Sequence, residues 1–144
     1  LLILSFCAVI EFLLFTEQWR FHMKNAVVTK NYTSAFPDPI TLTKNDIAVI
    51  SHCDLEYPGW VWITHSSGKS GWAPQQIFST LSSNEVICLE DYTAHELSVS
   101  YNEKITVMTS LNGWYWAHKL SGESGWVPEE CVNLLGDFID ERSL

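Results

Sequence analysis

Gly113–Pro128 reads GWYWAHKLSGESGWVP, and Gly59–Pro74 reads GWVWITHSSGKSGWAP. Laid over each other without a gap, nine of the sixteen positions are identical, among them Trp60/Trp114, Trp62/Trp116, Trp72/Trp126 and Pro74/Pro128. Six of the seven tryptophans fall into these two triplets. Tryptophan is scarce, so two triplets at one spacing mark an internal duplication. The 144 residues therefore divide into two units of roughly 55–60 residues. Units that small bury only about 60% of their unfolded surface, so they lean on large aromatic side chains and on each other.

Outward from the repeated stretch, the signals are short and strand-like. In the first unit AVVTKNY (26–32), ITLT (40–43), IAVI (47–50), WVWIT (60–64) and WAP (72–74) are β-branched or alternate with period two. Pro37-Asp38-Pro39, Lys44-Asn45-Asp46, Tyr57-Pro58-Gly59 and SSGKSG (66–71) punctuate them as turns. QQIF (75–78) reads as one helical turn or a final strand. The second unit repeats the pattern with VICLEDY (86–92), LSVS (97–100), KITVM (104–108), the tryptophan stretch and PEECV (128–132). The expected fold class is all-β, two consecutive five-stranded barrels. The divisions are an apolar extension over 1–22, a barrel over 23–81, a polar linker STLSSNE (79–85) between the units, a barrel over 86–135 and an acidic tail over 136–144.

Period two also names an inner face. The first unit offers Ala26, Val28, Ile40, Leu42, Ala48, Ile50, Ile63, Ala73 and Phe78; the second offers Val86, Cys88, Leu97, Val99, Ile105, Val107, Ala117, Val127 and Val132. Both sets are apolar without exception.

Charge narrows the partner. The net charge is −9, and it is lopsided: residues 24–84 balance four acids with four lysines, while residues 85–144 carry eleven acids against three bases. A phosphate backbone needs Lys and Arg to displace its counterions, so nucleic acid is excluded and a basic peptide suits better. Cys7, Cys53, Cys88 and Cys131 show neither a CxxC pair nor metal-ligand spacing, which predicts reduced thiols in a cytoplasmic compartment. The apolar run LLILSFCAVIEFLLF (1–15) is shorter than the roughly 20 residues of a spanning helix and is interrupted by Glu11. It reads as sequence upstream of a start at Met23, with the stub of a truncated anchor as the alternative. Only the anchor would bring the chain to a membrane.

The second unit resembles the Src-homology-3 (SH3) domain. The residues that carry the likeness are Leu89-Glu90-Asp91-Tyr92-Thr93-Ala94, Glu96-Leu97-Ser98-Val99, Asn102-Glu103, Gly113-Trp114, Gly125-Trp126-Val127-Pro128 and Val132. The first unit resembles a divergent member through Tyr32, Ile40-Thr41-Leu42, Asn45-Asp46, Gly59-Trp60, Gly71-Trp72 and Pro74. The tandem with W-x-W is similar to small bacterial two-domain proteins. The resemblance implies a groove that grips proline-rich segments in the polyproline II conformation, beside an acidic loop that selects a basic side chain. It implies ligand-binding roles for Tyr92, Trp114, Trp126 and Pro128, with Asp91 and Glu96 in the acidic loop, and for Tyr32, Trp60, Trp72 and Pro74 in the first unit. Two aromatic positions of each groove are replaced: Glu90 and Cys131 stand there in the second unit, Lys30 and Ile77 in the first.

Trp62 and Trp116 share a face with Trp60 and Trp114, because they lie two residues further along a strand. Either they pack against the other barrel or under a loop, or they widen the ligand platform, where tryptophan is a frequent hot spot. No catalytic constellation is evident: Gly68-Lys69-Ser70 lacks the earlier glycine of a phosphate-binding loop, and neither GxSxG nor HExxH occurs. No enzyme, cofactor or metal is expected. The leading function is a non-enzymatic module that binds a basic or proline-rich peptide. The alternatives are a bacterial wall-targeting (peptidoglycan) protein, and a structural tandem whose grooves are closed by barrel-to-barrel packing.

Overall fold

A computed structural model describes residues 23–137. The extension over 1–22 and all but the first two residues of the acidic tail lie outside that range. The first half of the chain forms β1 (Lys24–Val28), β2 (Thr41–Leu42), β3 (Ile47–Cys53), β4 (Trp60–His65), β5 (Ser70–Pro74) and β6 (Phe78–Thr80). The second half forms β7 (Glu85–Cys88), β8 (Tyr92–Thr93), β9 (Lys104–Leu111), β10 (Trp114–Lys119), β11 (Ser124–Pro128) and β12 (Val132–Asp137). Single 3-10 turns, Gln75–Ile77 and Glu129–Cys131, precede β6 and β12. Among the described residues, no helix is long and apolar enough to cross a membrane.

Two five-stranded antiparallel sheets result, as the period-two pattern predicts, but each takes one strand from the other repeat. Their orders are β5-β4-β3-β7-β6 and β11-β10-β9-β1-β12. The opening strand of the second repeat, β7, lies between β3 and β6 of the first. The opening strand of the first repeat, β1, lies between β9 and β12 of the second.

The stretch 79–85 explains the exchange. It is no free linker: Leu81 N and Ser82 N both donate to Glu85 O, which makes 81–84 the turn of a β6–β7 hairpin. Four residues suffice to fold a strand back on its predecessor, and closing so short a loop costs little chain entropy. With β7 held in the first barrel, the second has an open place that β1 fills. The polar contacts of both strands match. Cys88 N donates to Asp46 O and Asn45 N to Cys88 O; Val28 N donates to Glu103 O and Asn102 N to Val28 O.

Asn45 and Asn102 hold the two matching turns with φ of 77° and 69°, a left-handed conformation that asparagine tolerates. Asp46 and Glu103 cap those turns by accepting from Thr43 N and Ser100 N. The chain passes between barrels through residues 33–39 and 94–96. On either side of the crossings the repeats pair with each other, Thr41 with Thr93, Leu42 with Tyr92 and Tyr32 with Val99.

Each barrel has its own core. Ile40, Leu42, Ala48, Val61, Ile63, Ala73, Ile77, Val86 and Cys88 fill the first; Ala26, Val28, Leu97, Val99, Ile105, Val107, Ala117, Val127 and Cys131 fill the second. The inner faces expected from alternation are therefore apolar and inward, with Ala26 and Val28 traded against Val86 and Cys88. One detail differs. Ile77 and Cys131 are buried, while Phe78 and Val132 are only partly so, because the 3-10 turn shifts the phase at the end of each repeat. Cys131 thus stands in the core and not on a groove wall. Bulges between Ile50 and His52 and between Trp116 and Ala117 bend the long hairpins at matching places, as barrel closure requires.

Candidate binding pocket

The repeated tryptophans fall on cross-strand pairs. Trp60 lies opposite Pro74 and Trp62 opposite Trp72; Trp114 lies opposite Pro128 and Trp116 opposite Trp126. The exchange then brings the two aromatic faces together at a seam. Trp60 meets Trp126 edge-on with ring centroids 5.6 Å apart, and meets Trp114 at 6.4 Å. The loops that precede the two Gly-Trp pairs also touch. Asn112 Nδ2 donates to Gly59 O, the Trp60 indole N–H donates to the Asn112 carbonyl at 2.9 Å, and Tyr57 packs on Trp114 at 5.3 Å. A Cβ at Gly59 would sit 2.6 Å from the Asn112 side chain, so glycine is needed there for both its positive φ of 97° and the close approach.

Beside this seam lies a pocket of about 190 Å³. It collects seven of the twelve residues expected to bind ligand: Tyr32, Trp60, Trp72, Tyr92, Glu96, Trp114 and Trp126. Tyr32 comes from the first repeat but serves the second barrel, where its ring meets Trp114 edge-on at 5.7 Å and its hydroxyl donates to Glu96 Oε2 at 2.6 Å. Burial and then the Glu96 carboxylate hold the Tyr32 phenol far above its ordinary pKa, so it stays a neutral donor. Tyr92 donates its hydroxyl to Trp72 O, and burial likewise raises its pKa.

The other five expected residues lie elsewhere. Pro74 and Pro128 are fully buried, each opposite the tryptophan it pairs with on the neighbouring strand. The Asp91 carboxylate accepts from Lys44 N at 2.9 Å and caps a turn of the first barrel. Trp62 is half-buried between Phe36, His52 and Trp72, and Trp116 rests edge-on against Trp126 at 5.2 Å.

Sequence reasoning passed over Phe36, Asp54, Glu56 and Tyr57, which also line the pocket. Asp54 Oδ1 accepts from Glu56 N and Tyr57 N, which fixes the loop that carries all three. The signal in the sequence is the tyrosine two residues before Gly59, preceded by Asp54 and Glu56. Among the described residues, no group of three or more His, Cys, Asp or Glu is placed to hold a metal.

Residues 26–80 and 86–135 match the family described as variant SH3 domain. The SH2/SH3 adapter protein dreadlocks of Drosophila melanogaster is 26% identical over 135 residues, 79% of this chain and 24% of that protein. The human SH3 and multiple ankyrin repeat domains protein 1 is 26% identical over 70 residues, 46% of this chain and 3% of that protein. The chain thus spans a quarter or less of these relatives. The two matched segments follow the repeats along the chain, whereas the barrels are assembled across them. This chain belongs to the variant SH3 domain family, whose domains are generally protein-interaction modules and typically non-catalytic.

Proposed function

We propose that this chain is a non-enzymatic module that binds a peptide segment of a protein partner, basic or proline-rich, through the aromatic pocket and its flanks. The observation that carries the reading is the wall of tyrosine and tryptophan rings interleaved with carboxylates at the pocket. Aromatic ridges suit a preformed polyproline II segment, and the carboxylates suit its basic residues. Its relative dreadlocks is named as an adapter, a role consistent with peptide capture. A reducing, cytoplasmic setting fits the free thiols Cys88 and Cys131, each buried in a different barrel.

Titrating the full chain with a pooled library of proline-rich and basic peptides, followed by tryptophan fluorescence, tests this. A saturable shift is expected, weakened at least tenfold in Trp114→Ala, with circular dichroism confirming that the variant folds. One observation favours the structural alternative: Trp60 is only 5% exposed and its indole N–H is already bonded. Absence of any shift, with every tryptophan shielded from acrylamide, would establish that alternative instead.

A further inference from the structure

We infer that the two repeats make one binding site and not two: the pocket at the seam takes a single arginine-bearing partner segment, held by rings and carboxylates from both repeats. This rests on the interaction-module reading and deepens it. Ownership of the walls is the first argument. Asp54, Glu56 and Trp60 come from the first repeat, and Glu96, Trp114 and Trp126 from the second. Neither repeat can line the pocket alone, and the exchange of β1 and β7 ties the two halves together.

The second argument is that each repeat obstructs the other's separate groove. The Asn112 carbonyl occupies the Trp60 indole N–H, and Tyr57 covers Trp114 while donating its hydroxyl to Glu130. Two independent grooves therefore cannot both stand open, and the shared void is what remains. At about 190 Å³ it falls below the roughly 300–1,000 Å³ of small-molecule sites, which suits one long side chain of an extended segment.

Charge names that side chain. Four carboxylates and no Lys, Arg or His occur among the described residues lining the pocket. Asp38 is paired with Lys69 at 2.6 Å. Asp54, Glu56 and Glu96 have no cationic partner within 4.0 Å among the described residues. Glu96 is held in place by Tyr32 and Ala35 N through one oxygen only, which leaves Oε1 to accept. Unneutralised carboxylates beside indole and phenol faces match a guanidinium, which stacks on rings and bonds carboxylates in a planar fork at once.

The test uses the full chain and three acetylated, amidated nine-residue peptides, all proline except for a central arginine, lysine or citrulline. Isothermal titration calorimetry should give one arginine peptide per chain, bound at least tenfold tighter than the uncharged citrulline peptide and measurably tighter than the lysine one. Glu56→Gln should weaken the arginine peptide threefold or more and leave the citrulline peptide unchanged. The Glu56 carboxylate makes no hydrogen bond among the described residues, so this variant should fold as the parent does. Two arginine peptides per chain, or equal affinity for arginine and citrulline, would overturn the shared pocket while leaving the interaction module standing. Lysine binding as tightly as arginine would overturn the guanidinium assignment. Failure of all three peptides would overturn the inference outright, with the broader reading judged by the library titration.

Discussion

Trp60 and Trp114 hold the same place in their repeats and end in different surroundings. Trp60 is 5% exposed with its indole bonded across the seam; Trp114 is half-buried between Tyr32 and Tyr57. At the last tryptophan of the motif the order reverses. Trp126 is 8% exposed and donates to Thr93 O, while Trp72 is half-buried. The seam is therefore built on the first tryptophan of one repeat and the last of the other. Identical residues need not find identical environments once two copies pack together. The cause lies in the loops just before the motif: Tyr57 and Pro58 of the first repeat align with Leu111 and Asn112 of the second. Asn112 adopts a φ of 49°, which a proline cannot, and that places its carbonyl over Trp60.

The sharpest way to break the comparison is to remove residues 1–31. If β1 belongs to the second barrel, that barrel loses Ala26, Val28 and a strand from between β9 and β12. The loss is several kcal/mol, a large share of the ~5–15 kcal/mol that holds a domain together. Hydrogen exchange should show β9 to β12 unprotected and β3 to β7 still protected. Loss of protection in β3 to β7 instead would mean that each repeat keeps its own first strand.

A smaller effect probes the loop contact. Gly59 and Gly68 both have positive φ, 97° and 89°, but only at Gly59 would a Cβ strike the opposite repeat. Gly68→Ala should cost about 1–2 kcal/mol of backbone strain. Gly59→Ala should cost about 1–3 kcal/mol more through overpacking. Urea melts of the two variants measure the difference, and equal losses would show that the loops do not press on one another.

The smallest effect concerns pH. Burial, and then the Glu130 carboxylate, push the Tyr57 phenol up to about 12, whereas an unfolded tyrosine titrates near 10. The folded state thus holds this proton more tightly. Its contribution is complete below about pH 10 and is lost as pH rises through 12. Stability followed by urea melts between pH 9 and pH 12 should fall, and Tyr57→Phe should flatten part of that fall. An unchanged slope would remove Tyr57 from the seam.

The barrels were legible because their cores obey a local rule. Val28, Leu42, Ile63, Leu97 and Val127 lie inward in strands whose alternation can be read residue by residue. Which barrel a strand enters is not local. Val28 and Cys88 satisfy the same inward position in either, and only the four-residue turn at 81–84 selects between them. The pocket was half legible for a related reason. Motif positions gave Tyr32, Trp60 and Trp114, whereas Asp54, Glu56 and Tyr57 matter through a contact between repeats that no periodicity encodes. Pro74 and Pro128 were expected by resemblance to bind ligand, and their side chains are fully buried on the strands opposite Trp60 and Trp114.

The pairing of β1 with β12 has a mechanical consequence. Lys24 lies opposite Asp137, so the polypeptide enters and leaves the tandem one strand spacing apart, about 4.8 Å. Tension applied at these two points loads the ladder one hydrogen bond after another, from Lys24 inward, and peels it like a zipper. A tether joining this tandem to neighbouring domains would first release the second barrel, while the first, whose strands are remote from both points, keeps its shape.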